Sequence, residues 1–378
     1  MNDDCKYYIK LCAIPEIGAV TAMRLIRHFG SPQAVLEADK SELLKVEKIG
    51  NKTADSIISN RNKIDVEKIE ARMDAIGARY IHIGSPAYPK LLREIPDPPV
   101  GFYMLGDCNF SAPCISIIGS RNCSVYGQLV ARKFAASFVR AGFNVISGMA
   151  RGIDSCAHYG ALEAGGKTAA VLGCGVDVLY PPENGDLYNK LVSNGAIISE
   201  FPLGTRADRQ NFPIRNRIVA GLSVATLVVE SDIKGGSMIT ARLAGEQGRE
   251  VFAIPGRIDQ SSSRGCNALI RDGVRLVTCP EDIIDELSFS RQLEISFDSD
   301  KPKTRTGKAE KPSAKPAISL SGDEAAVYKC FEKVENLDAD TAANLSGLSV
   351  QKCLGALLVL EIKKAVVKQA GGIWTKRI

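Results

Sequence analysis

From Ile115 to Gly256 short apolar runs alternate with helical periods, and each run stops at small residues instead of at acids, bases or metal ligands. Ile115-Ser116-Ile117-Ile118 stops at Gly119-Ser120-Arg121, and Asn144-Val145-Ile146 at Ser147-Gly148. Ala169-Ala170-Val171-Leu172 stops at Gly173-Cys174-Gly175, and the run from Ala225 to Val229 leads to Gly235-Gly236-Ser237. Between them, Val125, Leu129, Val130, Phe134, Ala135, Phe138 and Val139 recur at helical spacing over Ser124 to Ala141. Helices are expected again at 153–164, 186–193, 214–222 and 238–247, and strands at Thr168, 196–198, 250–254 and 275–277. This order predicts an α/β fold, a Rossmann-like doubly wound and mostly parallel sheet with helices on both faces. Ligands of such sheets sit beyond the carboxyl ends of the strands, where the small-residue loops fall and where backbone N–H groups suit phosphate.

At 378 residues the chain is too long for one ordinary core. Its 45% hydrophobic and 24% charged content is that of a globular protein. No apolar run approaches the roughly 20 residues of a membrane span, and Met1-Asn2-Asp3-Asp4 lacks a basic signal start, which predicts a cytoplasmic protein with no membrane partner. The 11 cysteines contain no Cys-x-x-Cys pair, so buried reduced thiols are expected and no metal. A net charge of +5 permits a polyanionic partner without requiring one.

Residues 1–70 read as a helical unit with a weak internal repeat. Ile14-Pro15-Glu16-Ile17-Gly18 and Val46-Glu47-Lys48-Ile49-Gly50 each feed a helix. The pattern resembles paired helix-hairpin-helix motifs, whose Gly turns bring backbone donors to a nucleic-acid phosphate; the alternative is that these glycines only cap helices. Lys48, Asn51 and Lys52 flank the second turn. Residues 71–110 are Pro-rich and predict an ordered arm without a helix, laid along the 111–290 domain. Residues 291–318 have almost no apolar content and predict a flexible tether with solvated lysines. In 319–378, three helical segments and a hairpin at 365–375 make a winged helix, with Lys352 and Lys364 as its candidate contacts to DNA; a protein partner suits it equally.

The first ligand to test is a dinucleotide, and the fingerprint fails: Gly119 to Ser124 lacks the second and third glycines, and no acid ends the second strand. Gly165-Gly166-Lys167-Thr168 lacks the upstream Gly of a P-loop and precedes a strand. No cofactor is therefore expected. Catalytic residues are equally scarce. Of three histidines only His158 lies in the 111–290 domain, where capping and packing outweigh catalysis. Glu200 and Glu230, each just past a strand, read either as a hydrolase's acids or as anchors for nearby basic residues.

The basic residues favour a polyphosphate. Asn211 to Arg217 places Arg215, Asn216 and Arg217 at a helix start after a Pro at the first helical position. Arg121, Arg151, Lys234 and Arg242 surround the other loops, and Phe212 offers either a stacking face for a base or a core side chain.

Taken in order, Gly119-Ser120-Arg121 with Ser124, Tyr126 and Gly127; Ser147 to Asp154 with Ala157-His158; Gly173-Cys174-Gly175 with Asp177, Tyr180 and Pro181; Phe212 to Ser223; Gly236 to Arg242; and Gly248 to Gly256 resemble the DNA-processing protein A (DprA, or Smf) family. The resemblance spans the whole Rossmann-like domain, and the family also has a helical N-terminal domain and a C-terminal winged helix. It implies a non-enzymatic, sequence-independent single-stranded DNA binding protein. Such a protein protects incoming DNA and loads the RecA recombinase during natural transformation, as a homodimer through the Rossmann-like domain. The strand is then expected on Gly119, Ser120, Arg121, Ser124, Ser147, Gly148, Arg151, Phe212, Arg215, Asn216, Arg217, Lys234, Gly236, Ser237 and Arg242. Lys48, Asn51, Lys52, Lys352 and Lys364 are secondary contacts. The alternative is a nucleotide-binding protein resembling the lysine-decarboxylase-like phosphoribohydrolases, or a nucleotide sensor. Against the former, Asp232 to Ser237 lacks the glutamate of that group's glycine-rich signature.

Overall fold

The computed structural model describes residues 3–287, 322–331, 334, 336–363, 365–369 and 373–376. The expected tether at 291–318 and the candidate contact Lys364 lie outside the described residues. The chain divides into two units, Met1–Asp300 and Lys301–Ile378.

The first unit is organised by nine strands: β1 (Arg79–His82), β2 (Gly101–Gly106), β3 (Cys114–Ile118), β4 (Asn144–Ser147), β5 (Thr168–Val171), β6 (Ala196–Ser199), β7 (Ala225–Val228), β8 (Glu250–Ala253) and β9 (Arg275–Leu276). Their order is β1-β2-β6-β5-β4-β3-β7-β8-β9. The seven strands from β3 onward are parallel, whereas β1 and β2 are antiparallel additions, β2 pairing with β6 through Met104 and Ile198. Strands β3 to β7 are buried at every residue, which is why they read as mostly apolar runs without a solvent-facing polar side.

Helices cover both faces. Ile115 and Ile117 pack with Phe134 and Phe138 of the helix Val125–Arg140 and with Ile153 and Ala157 of the helix Ile153–Glu163. Cys114 and Ile118 point the other way, toward Ile218 and Val219 of the helix Asn211–Gly221 and Ala241 of the helix Gly236–Glu246. Each large apolar side chain buried in this way contributes roughly 1.5–3 kcal/mol. The nine-stranded mixed sheet, helices on both faces and flanking helical domain are the fold class expected.

Two expectations change. The Pro-rich segment is not an arm: it supplies β1, β2 and a short helix, Lys90–Arg93, capped by Pro89. Pro86, Pro89, Pro96, Pro98 and Pro99 all fall between the strands, so no ladder hydrogen bond is lost and Phe102 to Leu105 are free to form a buried strand. The helix bearing Arg215 starts at Asn211, so Pro213 is its third residue, and Arg215 and Arg217 lie beyond the first turn.

The helical domain is packed on this sheet. Cys5, Ile9 and Met73 share a core with Tyr103 and Leu105 of β2, and Val100 joins the core of Leu25, Leu43 and Ile57. Its repeat is visible in the backbone: Gly18 and Gly50 cap the helices Ala19–Phe29 and Asn51–Asn60, and two residues before each lies a positive φ, 69° at Glu16 and 64° at Lys48. In the second unit the helices Asp323–Cys330, Ala339–Ser346 and Val350–Ile362 pack on the antiparallel strands β10 (Asn336–Leu337), β11 (Val366–Gln369) and β12 (Ile373–Lys376), ordered β10-β12-β11. This is a winged helix, with Trp374 buried against Val327, Leu337 and Leu357. Among the described residues no single helix is long and apolar enough to cross a membrane, and no cluster of three or more His, Cys, Asp or Glu side chains is placed to hold a metal.

Candidate nucleic-acid interface

Strand order reverses between β3 and β7, so the loops leaving their carboxyl ends diverge and open a crevice. A cleft of about 590 Å³ lies there, bordered by Gly119 to Asn122 after β3, Gly148 and Ala150 after β4, and Ser231 and Gly235 to Ser237 after β7. Arg209 and, from the helix Asn211–Gly221, Phe212, Arg215 and Asn216 close it. A smaller side lobe of about 220 Å³ runs on toward Leu172, Gly173, Cys174 and Tyr180.

The loop after β3 is held by a buried carboxylate. Glu230, 4% exposed, accepts the Ser124 N–H at 2.9 Å and the Ser124 hydroxyl at 2.5 Å, while its backbone carbonyl accepts the Ser120 N–H at 2.7 Å. Gly127 is obligatory beside it, since a Cβ there would stand 2.7 Å from the Glu230 carboxyl carbon. Glu230 thus anchors the loop. Ser124 is committed in both its donors and caps the following helix through Gly127, so it shapes the loop instead of lining the cleft.

The loop after β4 is drawn in by Asp154, which accepts the N–H groups of Gly148 at 3.1 Å and Ala150 at 3.4 Å. Burial raises the Asp154 carboxyl pKa, and the charge of Arg215 and these two N–H groups oppose the rise. Arg215 is 4% exposed and donates through Nη1 to the carbonyls of Gly148, at 2.9 Å, and Val171. Burial pulls its guanidinium pKa down to about 10, with Asp154 working against the fall. Gly148 must be glycine, because a Cβ would meet the Arg215 guanidinium at 2.5 Å. Ser147 is fully buried and donates to the Ile117 carbonyl at 2.6 Å, so it contributes nothing to the cleft.

Arg121 stands exposed at the mouth with its guanidinium 5.4 Å from the centre of the Phe212 ring, and Phe212 lies 5.4 Å from Tyr180 at 31°. Gly173 makes room for this ring: a Cβ there would lie 2.9 Å from Phe212 Cδ1. Phe212 therefore forms a wall of the cleft and is not a core side chain.

Several expected contacts lie elsewhere. Arg217 is 5% exposed and forks onto Glu200 at 2.6 and 2.7 Å, with Nε 3.0 Å from the Asp97 carboxylate. Burial works against its charge, but Glu200 and Asp97 outweigh it and its pKa is raised. Two residues on a helix of 3.6 per turn turn the side chain by about 200°, which sends Arg217 away from the face Arg215 presents. Lys234 and Arg242 are exposed and border a neighbouring apolar groove with Ile233 and Met238, not the cleft; Ser231, Asp232 and Gly235 to Ser237 of that loop reach it, and the Ser237 hydroxyl is bonded to that of Ser231 at 2.7 Å. Arg151 borders the side lobe and pairs with Glu183 at 3.0 Å. In the helical domain Lys52 reaches Glu16 of the other hairpin at 3.0 Å, Lys48 lies 3.7 Å from Glu47, and Asn51 opens its helix; all are remote in sequence and element from the cleft. Lys352 is exposed in the first turn of the helix Val350–Ile362. His158 is fully buried, bonded to Thr168 at 2.7 Å, and burial pushes its pKa down to about 3, which keeps it neutral.

The sequence reading missed Asn122, Asp154, Tyr180 and Arg209 as lining residues. Tyr180 and Asp154 stood within the motifs already quoted; Arg209, two residues before a helix whose start was misplaced, carried no signal.

Residues 79–288 match the DNA recombination-mediator protein A family. The chain belongs to that family. Residues 8–62 match a SAM-like helix-hairpin-helix tandem, and residues 311–372 the DprA winged helix domain. The family match starts at residue 79, consistent with β1 and β2 being part of the sheet. Protein Smf of Synechocystis sp. is 31% identical over 397 aligned residues, covering 100% of both chains. The DNA processing protein DprA of Streptococcus pneumoniae is 40% identical over 203 residues, 53% of this chain and 72% of that one. A solved DprA structure from S. pneumoniae superposes with a TM-score of 0.66 at 31% identity, over 74% of this chain and 97% of the other. DNA processing protein A of Helicobacter pylori, solved for its single-stranded DNA binding mode, gives a TM-score of 0.51 at 29% identity, covering 56% and 97%.

Proposed function

We propose that the cleft between β3 and β7 binds single-stranded DNA by its phosphates, without reading its sequence. The observation that carries this is the composition of the rim: backbone of Gly119, Gly148, Gly235 and Gly236 beside Arg121, Arg209 and Arg215, with the Phe212 and Tyr180 rings alongside. Backbone donors and cations recognise phosphate on any sequence, and every base has a face to stack on an aromatic ring. The H. pylori relative's reported single-stranded DNA binding supports the same assignment. The protein acts as a binder and not an enzyme: Asp154 and Glu230 are committed to holding backbone, and Asp232 on the cleft rim accepts the Ile233 N–H at 2.7 Å. Its role is the processing of incoming DNA in natural transformation, where a homodimer in the cytoplasm protects the strand and hands it to RecA recombinase.

Anisotropy of a labelled dT oligonucleotide tests the binding step. Tight binding of the single strand, weak binding of the duplex and a loss on Arg121→Ala are expected, and equal affinity for duplex and single strand would overturn the assignment. The RecA step predicts faster filament nucleation on strands carrying this protein, and sedimentation reads the dimer directly.

A further inference from the structure

We infer that the same cleft takes a free nucleoside 5′-monophosphate, which competes with the strand. The inference deepens the strand-binding reading by naming a competitor for its site, and it rests on the geometry of that site. The cleft has two lobes of different chemistry. The open lobe, about 590 Å³, is bordered by the glycine loops after β3 and β7 and suits a phosphate. The side lobe, about 220 Å³, is walled by Phe212, Tyr180, Met149 and Leu172, and suits a flat heteroaromatic ring. A ligand with a phosphate at one end, a base at the other and a sugar between fills both, and the open lobe alone falls within the roughly 300–1,000 Å³ of small-ligand sites.

An independent observation lies at the junction. Arg215 borders both lobes, is more than nine-tenths buried, and its Nε has no hydrogen-bond partner. A buried donor left unpaired is costly, but Nε is itself covered, so what Arg215 presents to a ligand lying across both lobes is the positive charge of its guanidinium. Arg121 also borders both lobes, so one cation at the mouth and one at the floor face a dianionic ligand.

The test uses the full chain with dAMP, adenosine and inorganic phosphate, read by calorimetry and by thermal melting, and by displacement of a labelled dT oligonucleotide. The expected result is a dAMP affinity at least ten-fold tighter than for either fragment, a raised melting temperature, and displacement of the oligonucleotide. Phe212→Ala should weaken dAMP at least ten-fold without changing the response to phosphate. Arg121→Gln, at an exposed position, should weaken both dAMP and phosphate and serves as the second variant. No heat and no melting shift at millimolar dAMP, or equal affinity for dAMP and phosphate, would overturn the inference. If the oligonucleotide binds and dAMP does not, the nucleotide inference fails and strand binding stands. If dAMP binds in a Phe212-dependent way and the oligonucleotide does not, strand binding and the competition fail together, and the cleft is a mononucleotide site alone.

Discussion

Arg217→Met separates a structural arginine from a ligand-binding one. Arg217 has 6% of its side chain exposed, its partner Glu200 has 12%, and the two meet in a fork that Asp97 extends from the Pro-rich segment. Removing the guanidinium leaves the Glu200 carboxylate enclosed and unpaired and frees the segment that joins the helical domain to β2. Breaking a buried pair from one side costs about 3–5 kcal/mol. For a folded unit of this size that converts to a fall in melting temperature on the order of 10 °C. Melting curves read the first quantity, and dT anisotropy well below the transition reads the second. The expected outcome is a large loss of stability with strand affinity per folded molecule within about two-fold of the unsubstituted protein. An unchanged melting temperature with affinity lost would refute the reasoning and return Arg217 to the phosphate site.

Two further substitutions probe the cleft floor at Gly148 and the buried His158. Gly148→Ala places a Cβ 2.5 Å from Arg215 Nη1, so the guanidinium must leave the Gly148 carbonyl; a loss of about 1–3 kcal/mol in urea unfolding and weaker dT binding are expected, and wild-type values in both would show that the floor is plastic. His158, held near a pKa of about 3 against about 6.5 unfolded, binds its proton in the unfolded chain first. Its contribution is therefore present above pH 6.5 and is lost as pH falls toward 3, at up to about 1.4 kcal/mol per pH unit. His158→Gln should flatten the stability profile between pH 6.5 and 5 relative to the unsubstituted protein, and parallel profiles would contradict the burial argument.

The parts of this molecule that were legible in the sequence are those where one physical requirement dominates. Strands β3 to β7 are mostly apolar because both faces are covered, their buried Ser, Thr and Asn side chains being hydrogen-bonded within the sheet and its loops, and the loops that follow them must be small where backbone passes close to Ile153, Arg215 or Phe212. Strand β2 was hidden by its flanks: five prolines within fourteen residues obscure a run, Phe102 to Leu105, that is apolar on both faces. Cations were the least legible. Arg215 and Arg217 differ by two positions and have opposite fates, one at the cleft floor and one in an ion pair, because two residues on a helix face nearly opposite ways and the sequence does not say which face meets the cleft. Lys234 and Arg242 neighbour a loop of the cleft in sequence but face a different groove. Glu200 and Glu230 resolve to anchors only once their partners are placed.

Hydrogen exchange with and without a dT oligonucleotide tests the central claim most directly, because it reports where on the chain the strand lies. The account predicts slowed exchange at 119–122, 148–150, 211–216 and 235–237 together. Protection confined to the hairpin at 46–52 or to the winged helix, with these four segments unchanged, would contradict it.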